Sequence, residues 1–423
     1  MVTLSAEGLI RNQIAGVPVV ELAKQFGTPC YVYDEAVILQ RIEDLRAFDT
    51  IRYAQKACSN IAILHRMRQE GVLVDAVSAG EIHRALKAGY QPQGNPPPIV
   101  YTADIFDRES LQMCVDLGLH VNVGSPDMID QLGERSSGRN LTLRINPGFG
   151  HGHSRKTNTG GEQSKHGIWH EQLDDCLRKA DRHGLAITGI HMHIGSGTDL
   201  EHLAQVCGAL ESVARQVGRS ITSISAGGGL PTPYRTSDQR VDLEQYFALW
   251  DQTRQRLAAD FGHPIHLEIE PGRYLVAESG FLVTEIRGIK QMGSNTFYLL
   301  DAGFNNLARP ILYGAYHPMT IAPASGRAGS QSVEQVVVGG PLCESGDIFT
   351  QEEGGYVAQR SLPRAAVGDF LVIECAGAYG YAMSSNYNSK PLAPEILVRD
   401  QQAHLIRARQ SLDDLIAGER ILD

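Results

Sequence analysis

The sequence predicts a (β/α)8 TIM barrel joined to a second, mainly β domain. Three observations point there. Short β-rich runs alternate with amphipathic helical stretches eight times over roughly 220 residues in the middle of the chain. Reactive residue types stand at the ends of several different strand candidates. A doubly wound open sheet, the rival architecture, would gather them at one switch point. Beyond about residue 275 the long helical patterns stop and β-rich runs follow one another.

The N-terminal segment ends in an extended stretch, 28–34, which can add a strand to the β domain before the barrel starts. Eight strand candidates follow at 51–56, 72–78, 99–103, 119–123, 141–146, 187–193, 221–226 and 265–270. Between them, 79–88 sets apolar Ile82, Ala85 and Leu86 against Glu81, Arg84 and Lys87. The stretch 200–217 is a second amphipathic helix, with Asp199 as its N-cap. The segment 148–167 is rich in Gly, Ser, His and Lys and lacks periodicity, so it reads as a long loop after the fifth strand and an active-site lid. The runs 281–286, 296–300, 333–338 and 370–374 supply β structure to the second domain. The expected boundaries are 34–274 for the barrel, with 1–33 and 275–423 forming the β-rich domain.

Composition excludes several classes. With 42% hydrophobic and 20% charged residues over 423 positions, the chain has the make-up of an ordinary globular protein. A net charge of −10 without a long basic run argues against nucleic acid as a partner. Seven scattered cysteines with no C-x-x-C pair argue against a disulfide framework or a structural zinc, and fit a reducing cytoplasm. The first residues show no basic region followed by an apolar stretch, and no run of 18 apolar residues occurs, so neither a signal peptide nor a membrane span is expected.

The chemistry starts at Lys56, which closes the first barrel strand candidate among apolar and aromatic neighbours. Desolvation there favours a neutral amine able to attack a carbonyl, although a lone lysine at a strand end also reads as one that snorkels to solvent. Gly227-Gly228-Gly229 follows the seventh strand candidate, and Gly272-Arg273 the eighth. Barrels commonly hold phosphate after these two strands, through amides that glycine leaves accessible and through a cationic side chain. Each motif alone is equally a tight turn. Ser196 can add a hydroxyl donor. Glu270 stands where a carboxylate beside a pyridine nitrogen would keep that nitrogen protonated; the plainer reading is an ion pair with a nearby arginine. His193 can stack on a ring or be a hydrogen-bonded core histidine. The pair His191 and His193 invites a metal, but no third ligand has suitable spacing, so none is expected. His151 and His153 read as solvated or lid residues. Lys56, a phosphate cradle, Glu270 and His193 together fit pyridoxal 5′-phosphate held on the lysine as a Schiff base.

Seven stretches carry a family resemblance: YAQKA (53–57), DAVSAGEI (75–82), HMHIGSG (191–197), GGGL (227–230), EPGRY (270–274), CESGD (343–347) and GAYGYAMSSNYN (377–388). In this order, over nearly the whole chain, they resemble the diaminopimelate decarboxylases, pyridoxal-phosphate enzymes built from a barrel and a β domain. The stretches at 343–347 and 377–388 are the most specific, because related decarboxylases and racemases vary there. The segment 146–169 is similar to that of enterobacterial-type members.

The resemblance implies that Lys56 carries the cofactor and His193 lies on its ring face. It assigns Ser196, Gly228, Gly229, Gly272 and Arg273 to the phosphate and Glu270 to the ring nitrogen. Arg273, Arg309 and Tyr313 are implied to meet substrate carboxylates, Glu344 the distal ammonium, and Tyr379 both cofactor and substrate. Cys343 is implied to be the proton donor, supplied by the second subunit of a homodimer with shared active sites. The expected reaction is decarboxylation of meso-2,6-diaminopimelate to L-lysine and CO2. The alternatives are a related decarboxylase acting on ornithine, lysine or carrier-bound glutamate, and a non-catalytic cofactor-binding homologue. The presence of both Lys56 and Cys343 speaks against the last.

Overall fold

A computed structural model describes residues 6–149, 160–193, 199–324, 329–352 and 354–422. The chain divides into two units, one of residues 39–232 and 239–275, the other of 1–38, 233–238 and 276–423.

The first unit is a closed parallel barrel. Its strands are β1 (Thr50–Ala54), β2 (Leu73–Ala76), β3 (Ile99–Ala103), β4 (His120–Val123), β5 (Asn140–Asn146), β6 (Ala186–His191), β7 (Ser223–Ser225) and β8 (His266–Ile269). Each pairs with its sequence neighbour, β8 pairs with β1, and β5 with β6 completes the ring. The fold class therefore stands as the sequence predicts.

The helices that follow the strands are α1 (Ile61–Gln69), α2 (Ala79–Lys87), α3 (Arg108–Asp116), α4 (Pro126–Gly133), α5 (Leu173–Arg182), α6 (Leu200–Val217), α7 (Leu243–Phe261) and the single turn α8 (Arg273–Val276). Their starts are set by side chains that accept orphan amides: Asn60 for α1, Ser78 for α2, Asp107 for α3, Asp199 for α6 and Asp242 for α7. Gly262 ends α7 in the left-handed region, at φ +77°.

Side chains alternate across each strand, and the apolar set faces outward. Ile51, Tyr53, Val74, Tyr101, Val121, Leu143 and Leu267 are buried, as are the helix residues Ile63, Met67, Ile82, Leu132, Leu210 and Leu257. Each such Leu or Ile removed from water contributes about 1.5–3 kcal/mol. The inward set is polar, where barrel interiors usually hold branched apolar residues. Arg52 forms a two-pronged ion pair with Glu268, at 2.9 and 3.1 Å, and donates to Pro97 O. His120 bonds Thr142 at 2.9 Å and Thr50 bonds His266 at 2.8 Å. A cavity of about 720 Å³, lined by Arg52, His120, Thr142, His266 and Glu268 among others, runs up to Glu270. Burial and the nearby Arg52 charge push the His120 imidazole down to about 4, so it serves the lumen as a neutral bonding group.

The second unit is built on the long strand β9 (Gly280–Met292), followed by β10 (Asn295–Leu300), β11 (Met319–Ala322), β12 (Val333–Gly339), β13 (Arg360–Pro363), β14 (Phe370–Ile373), β15 (Glu395–Arg399) and β16 (Gln402–Arg407). A register shift between Ile286 and Gly288 lets β9 serve two neighbourhoods. Its first half pairs with the N-terminal strand Cys30–Asp34 and with β14, and its second half with β10. Cys30–Asp34 also pairs in parallel with β15. Ile14, Val19, Leu22, Val32, Val283, Val372 and Ile396 form a core in this unit. The sequence patterns flag four of its strands after residue 275 and miss β11, β13, β15 and β16, which are four to six residues long and follow turn-rich stretches. Among the described residues, no helix is long and apolar enough to cross a membrane.

The lumenal ion pair yields a prediction. Replacing Arg52 with Met leaves Glu268 buried without its partner, which typically costs about 3–5 kcal/mol. Urea unfolding of Arg52→Met should show that loss. The double variant Arg52→Met/Glu268→Leu should regain most of it, since the stranded charge is gone.

Candidate active site

Four of the singled-out stretches end on four adjacent strands of the ring, in the order β6, β7, β8, β1. Lys56 is not on β1 itself. The strand stops at Ala54, and Lys56 sits on the 3-10 turn Gln55–Ala57 that follows. It is the exposed residue of that turn, while Gln55 and Ala57 are buried. The enclosure by apolar neighbours that the sequence predicts is not found, because the side chain is exposed. What surrounds it is charge. The Lys56 ammonium acts on two carboxyls, the buried Asp75 at the end of β2 and the half-buried Glu81 in the first turn of α2. Burial and the neighbouring Glu270 charge raise Asp75 well above the usual carboxylate range. Burial likewise raises Glu81, whose Oε2 accepts the Val77 N–H at 2.8 Å. Sequence reasoning passed over both residues, although each lies inside a recognised stretch.

Glu270 follows the last residue of β8 and is 8% exposed. Its Oε1 accepts from Ser225 Oγ at 2.6 Å, and its Oε2 lies 3.0 Å from His191 Nε2. Burial opposes its ionisation, but the His191 charge, the two hydrogen-bonding groups and the Arg52 guanidinium outweigh it and take the carboxyl down to about 2. The expected partner class, an arginine pair, is thus replaced by a histidine and a serine. His193 lies beyond the end of β6, with its ring parallel to that of His191 at 6.4 Å. Its Nδ1 accepts the Gly228 N–H at 2.7 Å. Burial, followed by the Arg144 and Lys56 charges, holds it well below the usual imidazole range, so this ring is neutral.

The glycines are there for space. Gly227 has φ +62°, and a Cβ on it would lie 2.5 Å from Met192 O; one on Gly228 would lie 2.5 Å from Glu270 O. Only glycine lets the chain turn this tightly between the His193 ring and the Glu270 backbone. Gly229 follows at φ +96°. Gly272 sits against the end of β1, where Ala54 N–H donates to Pro271 O, and Arg273 opens α8, partly buried. Ser196, His151 and His153 lie outside the described residues.

These residues fit pyridoxal phosphate on structural grounds. An ionised carboxylate suits a protonated pyridine nitrogen, a neutral imidazole suits a ring face, the glycine turn after β7 with Arg273 after β8 suits a phosphate, and an exposed amine stands on the adjacent strand's turn.

The other singled-out residues gather within the second unit. Cys343 and Glu344 are exposed on the loop 342–347. Asp347 ties that loop down: its carboxylate accepts from Leu342 N–H at 2.8 Å and Phe304 N–H at 2.7 Å. Cys343 N–H donates to Asn388 Oδ1 at 2.8 Å, and Asn388 itself has φ +54°. The short helix Arg309–Tyr313 adjoins the loop, since a Cβ on Gly346 would lie 2.7 Å from Ile311 Cδ1. Arg309 is buried, stacks on the Tyr234 ring and bonds His317 at 2.9 Å, whereas Tyr313 is 38% exposed. Tyr379 is partly buried at φ +57°, an uncommon conformation for an aromatic residue.

Comparison with known proteins agrees with this chemistry. The pyridoxal binding domain of the pyridoxal-dependent decarboxylases matches residues 35–277. The diaminopimelate decarboxylase of Escherichia coli K12 is 53% identical over 98% of this chain and 97% of its own length. That of Streptomyces coelicolor is 55% identical over 94% and 90%. Among solved structures, a diaminopimelate decarboxylase superposes with a TM-score of 0.92 at 54% identity, covering 94% of this chain and 95% of its own. The Helicobacter pylori diaminopimelate decarboxylase complexed with L-lysine superposes at 0.83, with 30% identity, over 94% and 98%. With a barrel that carries the decarboxylase domain and near full-length identity above one half, the chain belongs to the diaminopimelate decarboxylase family of pyridoxal-dependent decarboxylases.

Proposed function

We infer that the protein converts meso-2,6-diaminopimelate to L-lysine and CO2 with pyridoxal 5′-phosphate. The observation that carries this is the full-length identity above one half to diaminopimelate decarboxylases, joined to a barrel rim that fits the cofactor. The reaction breaks the bond between the α-carbon and its carboxylate, releases CO2 and takes up one proton at that carbon. When bound, pyridoxal phosphate supplies a sink for the electron pair the departing CO2 leaves behind.

The chain's own residues do the rest. Lys56 is the amine to which the cofactor attaches. Gly228, Gly229, Gly272 and Arg273, with Ser196, would hold its phosphate, and His193 would face its ring. Glu270, held ionised by its neighbours, would keep a proton on the ring nitrogen. Arg273, Arg309 and Tyr313 receive substrate carboxylates, Glu344 receives the distal ammonium, and Tyr379 borders both cofactor and substrate. Charge-assisted bonds of both signs, spaced apart, select a diamino diacid over ornithine or lysine, which lack the second carboxylate. Cys343 delivers the proton to carbon from the second subunit of a homodimer, and its exposure within one chain fits a group that works on a neighbour. All seven cysteines are free thiols, which suits a cytoplasmic setting.

Three measurements test this reading. First, the protein reconstituted with pyridoxal phosphate should be yellow, borohydride should bleach it, and peptide mapping should find the cofactor on Lys56. In a panel of amino acids, CO2 release should be fastest with meso-diaminopimelate. An adduct on another lysine overturns the site, and faster release from ornithine, lysine or glutamate overturns the substrate.

Second, Lys56→Ala and Cys343→Ala proteins should each be inactive, and mixing them should restore activity, because a heterodimer holds one site with both residues intact. No recovery despite demonstrated subunit exchange would remove Cys343 from the partner's site.

Third, Glu344→Gln keeps the shape and loses the charge. A charge-assisted bond is worth about 1.5–3 kcal/mol, so turnover of diaminopimelate should fall by roughly ten- to a hundredfold while the cofactor still attaches to Lys56. Unchanged turnover would refute the role.

A further inference from the structure

The two histidines of the stretch at 191–197 differ in what they touch. His193 spends its Nδ1 on the Gly228 amide and is neutral. His191, two residues earlier and 1% exposed, turns its Nε2 to Glu270 Oε2 at 3.0 Å. Its ring is parallel to that of His193 and lies 6.4 Å behind it.

Glu270 needs such a partner. A buried carboxylate is costly unless each oxygen is met by a donor. Oε1 has one in Ser225 Oγ, which is itself fixed by the Gly227 N–H at 3.1 Å. From β1, Arg52 acts only through space, because its guanidinium is engaged by Glu268 and Pro97 O. From β2, Asp75 faces the same carboxylate and raises the cost of its charge. On β6, His193 is neutral. Oε2 therefore depends on His191.

We propose that His191 is a positioning residue that holds Glu270 ionised and oriented, and through it keeps the cofactor's ring nitrogen protonated. This rests on the reading above in which Glu270 meets that nitrogen. His191 does not itself touch cofactor or substrate. Its Nε2, 3.0 Å from Oε2, faces from the interior of the barrel the one carboxylate that governs the cofactor's electronics, in the manner of the outer-shell partners that tune metal ligands.

The test uses full-length protein loaded with pyridoxal phosphate labelled with 15N in the ring. In the wild type the nitrogen resonance should be that of a protonated ring across neutral pH. His191→Phe keeps an aromatic ring and removes the donor. It should move the resonance to that of an unprotonated nitrogen, and lower kcat by roughly a hundredfold with KM changed less than about threefold. His191→Gln restores an N–H donor, and should return the protonated resonance and about tenfold or more of the lost kcat. A protonated resonance with near wild-type kcat in His191→Phe overturns the proposal. Should His191→Phe fail to fold or to hold cofactor, His191→Leu, which likewise removes the donor, takes its place: an unprotonated nitrogen supports the role, and a protonated resonance with near wild-type kcat overturns it. An unprotonated nitrogen in the wild type would instead strike the assignment of Glu270 itself.

Discussion

The top of this barrel is organised around one buried negative charge. Glu270 is ionised in a place where burial alone would protonate it, and the chain satisfies that constraint strand by strand. β7 contributes Ser225, β6 contributes His191, and β1 contributes the field of Arg52. The same charge raises Asp75 on β2, which shares its space. Even the glycines follow from it: Gly228 is pressed against the Glu270 carbonyl, and Glu270 N–H closes back on Gly227 O. A carboxylate that needs this many partners cannot move far, and immobility is what a group reading one ring atom requires.

The fold was legible in the sequence because hydrophobic periodicity carries it. β3, β4 and β5 end at the residues where apolar alternation predicts. β1, β2, β6, β7 and β8 all stop short of their predicted ends, by one or two residues. The residues left over are Gln55-Lys56, Val77-Ser78, Met192-His193, Ala226 and Glu270. Their patterning still reads as strand, but the backbone has left the ladder to aim side chains across the barrel end. The mismatch between periodic pattern and hydrogen-bonded strand is thus itself a marker of this rim. It is absent where the strands carry none of the recognised chemistry.

What the sequence hid was partnership. A histidine two residues from another histidine suggests a shared metal, yet here one bonds a glycine amide and the other faces a carboxylate. Glu270 looked like the mate of an arginine, and Arg52 is indeed within reach of its field, but Arg52 is claimed by Glu268. Polar residues alternating with apolar ones along β4 and β5 read equally as solvent-facing. They face the lumen instead, where His120 and Thr142 satisfy each other. Such pairings depend on which strands become neighbours on closure, and that information lies in no local window of the chain.

The N-terminal strand Cys30–Asp34 has partners only from far downstream: β9 on one side and β15 on the other. Tyr33, in that strand, bonds Glu395, 362 residues later. During synthesis at about 5–20 residues per second, this apolar ribbon leaves the ribosome roughly 20–70 s before its second neighbour exists. All the barrel strands are made within that interval, whereas the second unit can only be finished after β15 and β16 have been made. One edge of an apolar strand stays open to wrong partners for all of that time. The longest wait for a native strand partner therefore belongs to Cys30–Asp34 rather than to the barrel.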